Sequence, residues 1–104
     1  MDLLKNQLLN SLQLRPELVE KTTNEAELIE LIRQLVQELI DRDFEKLLLI
    51  LYRLDINEKK VKEAIDMTGP ANAPLSIAEL IIEREKQKVV ARAKYDTGNS
   101  DWEF

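Results

Sequence analysis

Apolar residues along this chain recur with the spacing of an α-helix rather than with the alternation of a β-strand. Leucine recurs at every fourth position near the start, which predicts a first helix over about Asp2 to Gln13. Pro16 ends that helix, because the residue before a proline avoids the helical region of backbone space. The same proline can start a short helical turn that runs through Val19.

The next segment predicts a longer helix that touches neighbours on two sides. Thr22 and Asn24 each have a glutamate three residues on, so either one can cap this helix, which runs to about Ile40. Its leucine, isoleucine and valine residues cover more than half of its circumference. An apolar arc of this width contacts more than one neighbouring element.

A third helix is predicted over Phe44 to Leu54, with Asp43 as its N-cap. This segment is apolar nearly all round, which is typical of a helix at the centre of a bundle or in a subunit interface. Leu48 and Leu51 lie opposite its charged strip, so both are predicted core residues. Leu49 projects between the charged residues, on the side that should face water, and is therefore a candidate interface residue.

The remainder of the chain predicts a short helix, a loop and a final helix. Asn57 caps the short helix, which runs through about Asp66, and residues 67–74 form the one true loop. Ser76 has a glutamate three residues on and predicts a capping box for the final helix, which runs to about Lys94.

Few turn-forming residues punctuate the chain, with two glycines and three prolines among 104 residues. That number is too small for a many-stranded β fold. The predicted fold is all-α, a compact bundle of four main helices plus a short N-terminal turn. Residues 1–95 form this single domain, and residues 96–104 are a flexible acidic tail that carries Trp102 and Phe104.

Composition excludes several kinds of chemistry. The chain has no histidine and no cysteine, so it lacks an imidazole base, a thiolate nucleophile and the usual zinc ligands. We therefore expect no metal, no cofactor and no enzymatic activity. The net charge of −5 disfavours nucleic acid and anionic membranes as partners. No apolar run is long enough to span a bilayer and no secretory signal is evident, which favours a cytoplasmic protein.

A small set of residues stands out as a possible interaction surface or buried polar network. A flat leucine-rich face would favour self-association, whereas a buried cleft that gathered the polar members would favour a carboxylate-based enzyme. The set consists of Leu49, Tyr52, Arg53, Asp55, Glu79 and Arg84.

The last helix places cations on the sector that its first turns fill with isoleucine. Arg84, Lys88 and Arg92 follow Ile77 and Ile81 along this face. Either the helix projects past the core into water, which we favour, or these cations meet carboxylates of a neighbouring helix or chain. Acidic residues are interspersed among them and no aromatic residue lies there to stack on a base, so the cluster does not indicate nucleic-acid binding.

Two stretches of the chain, Asp43–Ile56 and Ile77–Lys88, resemble segments of a group of small uncharacterised helical bacterial proteins of unknown function. The similarity covers about residues 28–94. It implies a bacterial cytoplasmic protein and transfers no activity or functional residue to this chain.

These observations favour a non-enzymatic helical interaction or structural protein that self-associates as a homo-oligomer, most simply a dimer. An adaptor or regulatory subunit of another bacterial protein is the second hypothesis, with docking of that unidentified partner through the tail or the last helix. An enzyme that uses carboxylates with arginine or tyrosine is the third.

Overall fold

The computed structural model describes the backbone of residues 2–102 and the side chains of residues 2–93. Its described backbone is helical apart from short connections and contains no strand, so the all-α prediction is confirmed. The bundle of four main helices is not confirmed, because six α-helices lie within the described range. They are α1 (Asp2–Leu12), α2 (Pro16–Lys21), α3 (Glu25–Arg42), α4 (Phe44–Arg53), α5 (Glu58–Thr68) and α6 (Ala73–Trp102), with a 3-10 turn over Pro70–Asn72 before α6.

Three of the helix starts lie where side-chain capping predicted them. Asn24 rather than Thr22 caps α3, and its side chain accepts a 2.9 Å hydrogen bond from the backbone N–H of Glu27. Asp43 caps α4 by accepting from the backbone of the residue three positions on, at 3.2 Å. Asn57 caps α5 with a bond of 2.8 Å. Each cap satisfies a backbone N–H that has no partner within its own helix.

The start of the last helix differs from its prediction. The predicted loop over residues 67–74 is largely helical, because α5 continues to Thr68 and α6 begins at Ala73. Ser76 is therefore a buried residue inside α6 rather than its cap, and its hydroxyl lies 2.7 Å from the Thr68 hydroxyl. Pro74 does not interrupt α6, because it lies in the first turn, where backbone N–H groups make no hydrogen bonds within the helix.

The core forms where α6 packs against α1, α3 and α5, and α4 also contacts α3. Leu8, Leu28, Ile32 and Val36 have no accessible surface, and Ile81 has almost none. The wide apolar arc of α3 predicted contact with more than one neighbour, and α3 contacts both α6 and α4. Its buried residues nevertheless lie in one stripe: Leu28, Ile32, Val36 and Leu39.

The last helix continues to Trp102, beyond Lys94, where the sequence pattern ended it. Side chains beyond Ala93 lie outside the described residues, as do Glu103 and Phe104 entirely. The mobility of residues 96–104, and their separation from a domain over residues 1–95, therefore stay predictions.

Candidate functional site: the exposed apolar face of α4

Helix α4 exposes large apolar side chains on the side that faces away from the core. Phe44 is 53% exposed, Leu48 48%, Leu49 58% and Tyr52 81%. We call these four residues the α4 face. Scattered single apolar residues are normal on protein surfaces, but four on one short helix make a contiguous patch of the kind that marks an interaction site.

The opposite side of α4 holds the helix on the protein. Leu47, Ile50 and Leu51 are buried, so the prediction of Leu51 as a core residue is confirmed. The same prediction for Leu48 is wrong, because this side chain lies on a groove between α4 and α5 that neither helix closes. Leu49 is exposed, as its position between charged residues predicted.

An apolar groove of about 530 Å³ lies beside the α4 face. Leu48, Leu49, Leu51 and Tyr52 form one wall, and α5 and the segment before it form the other. The remaining lining residues are Glu45, Ile56, Glu58 and Val61. The groove thus extends the exposed apolar surface of α4 toward α5, with carboxylates at its edge.

The turn that ends α4 builds the second wall of this groove. Asp55 has a left-handed backbone with φ of 64°, which is uncommon for a residue other than glycine. Its N–H donates to the Tyr52 carbonyl and the Ile56 N–H donates to the Leu51 carbonyl, each at 3.0 Å. This is the hydrogen-bond pattern of a Schellman C-cap. The turn brings Ile56 to the groove and directs the chain into α5.

Arg84 on α6 contacts the C-terminal end of α4. Its Nε donates a 2.9 Å hydrogen bond to the Leu54 carbonyl, and its Nη2 lies 3.8 Å from Oδ2 of Asp55. A guanidinium at this position complements the partial negative charge at the helix C-terminus. The favoured projection into water is therefore wrong for Arg84, which is about one-third exposed and contacts a neighbouring element instead.

The polar residues singled out from the sequence do not gather in a cleft. Tyr52, Arg53, Asp55 and Glu79 are all exposed, so they do not form a buried network. The structure brings Asp55 to Arg84, at the end of α4. Glu79 instead lines a separate shallow groove between α3 and α6. Of the candidate set, Leu49 and Tyr52 lie together on the exposed α4 face.

Unpaired charges flank the centre of the α4 face. Glu45 lies four residues before Leu49 and Arg53 lies four residues after it, and all three are exposed. Among residues 2–93, no ion pair involves Glu45 or Arg53. Both charges are therefore free to pair with groups outside this chain.

Displaced pKa values occur at helix caps and surface ion pairs outside α4. The backbone N–H and then the hydroxyl of Thr23 lower the pKa of Glu27 by hydrogen bonding to its carboxylate. A hydrogen bond with Glu25 raises the pKa of Lys86, with a separation of 2.7 Å between Nζ and Oε1. These contacts join α3 to Thr23, the residue before its cap, and to α6, so hydrogen bonds at the surface account for the displaced pKa values.

Sequence reasoning missed one buried residue on α6. Glu85 has no accessible surface, and neither carboxylate oxygen has a hydrogen-bond partner. The charged second half of α6 suggested a solvated segment. However, Glu85 lies four residues after Ile81, which belongs to the core cluster, and four before Val89, which packs against that cluster. This helical spacing was the available signal.

A second open groove, of about 600 Å³, lies between α1 and α6. Leu3 and Val90 line it and are themselves 64% and 56% exposed. The Glu25–Lys86 ion pair stands at its edge. The residues that line this groove come from α1 and α6, together with Glu25 of α3.

Within the described range, no helix is both long and apolar enough to cross a membrane. The described residues also contain no group of three or more acidic side chains placed to hold a metal ion. No protein-family model, curated protein or solved structure matches this chain. The resemblance to small helical bacterial proteins thus stays a prediction.

Proposed function

We propose that this chain is a non-enzymatic interaction or structural protein that self-associates through the α4 face. The observation that carries the proposal is the exposure of Leu49 and its three apolar neighbours on one short helix. Transfer of such side chains from water to an interface is favourable at roughly 25 cal/mol for each Å² of apolar surface. The adjacent groove supplies further apolar surface for a partner's side chains.

The size of the face indicates weak, reversible association. Helix α4 has 10 residues and is about 15 Å long at 1.5 Å per residue. A contact centred on one such helix lies at the low end of protein interface sizes, where complexes are transient. We expect a dimer with a Kd in the range of about 1–100 μM.

The test is sedimentation equilibrium of the parent chain and of Leu49→Asp at concentrations up to about 1 mM, roughly ten times the weakest expected Kd. We expect the parent to approach twice 12.1 kDa and Leu49→Asp to remain at 12.1 kDa, because a buried carboxylate without a partner opposes association. Met67→Asp is the matched control, since Met67 is 86% exposed and lies outside the α4 face. A parent chain that stays monomeric contradicts the proposal, and dimers of Leu49→Asp as tight as the parent exclude this face.

The groove between α1 and α6 favours a second candidate, an adaptor that docks another protein. Its exposed Leu3 and Val90 are the supporting observation. Photo-crosslinking residues at Leu3 and at Leu49, introduced separately in the native host, separate the two functions. Adducts between identical chains from Leu49 support self-association, whereas one defined heterologous adduct from Leu3, with none from Leu49, supports the adaptor.

A further inference from the structure

Besides the exposed Lys46, α4 carries two charged residues that are placed symmetrically about Leu49. Glu45 and Arg53 each lie four residues from it, so they stand about 12 Å apart along the helix axis. Both are exposed, and neither belongs to an ion pair among residues 2–93. Along the line from Glu45 through Leu49 to Arg53, the surface is thus negative toward the start of α4, apolar at its centre and positive toward its end.

A surface of this kind is complementary to a copy of itself. In a two-fold symmetric dimer, both chains contribute the same patch. Every contact between two different residues therefore occurs twice, once in each direction. If two α4 helices run antiparallel with Leu49 on the axis, Glu45 stands level with the partner's Arg53, and this pairing occurs twice. A parallel arrangement would instead place carboxylate beside carboxylate and guanidinium beside guanidinium.

We infer that the occupant of the α4 face is a second copy of this chain, packed antiparallel with Leu49 at the two-fold axis and Glu45 of each copy paired with Arg53 of the other. This inference rests on the proposed function and specifies its partner and geometry. Antiparallel packing also sets the positive end of each helix dipole beside the negative end of the other. The apolar residues supply affinity, and the charges fix the direction and register.

A charge-reversal cycle tests this geometry. Glu45→Lys places two cations together at each end of the antiparallel pair, and Arg53→Glu places two carboxylates there. We expect each single variant to raise the dimer Kd by about tenfold or more, because like charges in an interface oppose association. The double variant restores opposite charges at both ends and should return the Kd to within about threefold of the parent value.

Control variants show whether a change in the dimer Kd arises from the interface, from net charge or from loss of folding. Glu20→Lys and Lys21→Glu change the net charge by the same amounts on exposed positions of α2, and we expect neither to alter the Kd. Circular dichroism of every variant checks that the helices remain, which we expect because all four substituted positions are exposed. A change in Kd from the α2 variants as large as that from the α4 variants overturns the specific pairing.

Single cysteines give an independent measurement, because the chain contains none of its own. Leu49→Cys should form a disulfide-linked dimer on oxidation, because the two positions 49 meet at the axis. Glu45→Cys should not, since the antiparallel pair separates these positions by about 12 Å along the axis. Efficient linkage through Glu45→Cys indicates parallel helices and overturns the inference while leaving self-association intact. A monomeric parent chain overturns both.

Discussion

The buried carboxyl of Glu85 should destabilise the fold, and its removal should stabilise the protein. Glu85 has no accessible surface and neither of its oxygens has a partner. An unsatisfied buried polar group costs about 1–3 kcal/mol, and replacing buried ionic groups by apolar ones of similar volume can stabilise a protein by about 1–4 kcal/mol. Methionine has nearly the shape of glutamate, so Glu85→Met removes the carboxyl without opening a cavity among Ile81, Ile82 and Val89.

We expect Glu85→Met to raise the free energy of unfolding by about 1–4 kcal/mol. For a domain of this size, the gain corresponds to an increase in Tm of at least about 4 °C. Thermal and urea unfolding followed by circular dichroism measure both quantities. Glu83→Met is the control on the same helix, because Glu83 is exposed and its replacement should change stability by less than about 0.5 kcal/mol.

Glu85→Gln distinguishes the loss of a polar group from a change of shape. Glutamine keeps the length of glutamate but brings an amide that also needs hydrogen-bond partners, so we expect a smaller gain than for methionine. If Glu85→Met lowers the free energy of unfolding by more than about 1 kcal/mol, the reasoning is refuted. Such a loss would mean that a partner satisfies the Glu85 carboxyl in solution.

Three further outcomes follow from burial, capping and ionisation. Leu51→Ala should cost about 2–5 kcal/mol in urea unfolding, whereas Leu48→Ala, at a half-exposed position, should cost under about 1 kcal/mol. Asp43→Ala should cost about 0.5–2 kcal/mol by removing the cap of α4, and Asp43→Asn should retain most of the stability. Hydrogen bonds from Thr23 lower the pKa of Glu27 from its usual value of 4.5. The ionised carboxylate therefore stabilises the fold above pH 4.5, and this stabilisation is lost as the pH falls through the lowered pKa. Glu27→Gln should therefore lose less stability than the parent chain between about pH 5 and 3.

Capping residues could be predicted from the sequence because a cap depends on neighbours within a few positions. Asn24, Asp43 and Asn57 each satisfy an N–H group two or three residues on, and the sequence alone contains both partners. Ser76 has the same local pattern but lies inside α6, because the helix begins earlier at Ala73. A capping motif therefore predicted a helix boundary only where no earlier turn continued the helix.

Burial was harder to predict because it depends on which helices meet. The period of α4 distinguishes its two sides, yet it does not show that α5 leaves Leu48 uncovered. Leu49 could be recognised as exposed because charges flank it on its own helix. The spacing on α6 places Glu85 in line with core residues, but the chemistry of a carboxylate argued for solvent. Its position is decided by contacts between distant segments.

Helix α6 completes the core, and this affects the order in which the chain folds during synthesis. Helix α6 contacts α1, α3 and α5. The buried leucines of α1 therefore lack part of their packing partners until α6 has been synthesised. Contacts between α3 and α4 join neighbouring segments and can form earlier, because local contacts require little loop closure. A nascent chain therefore presents Leu49 before Ile81 reaches the core.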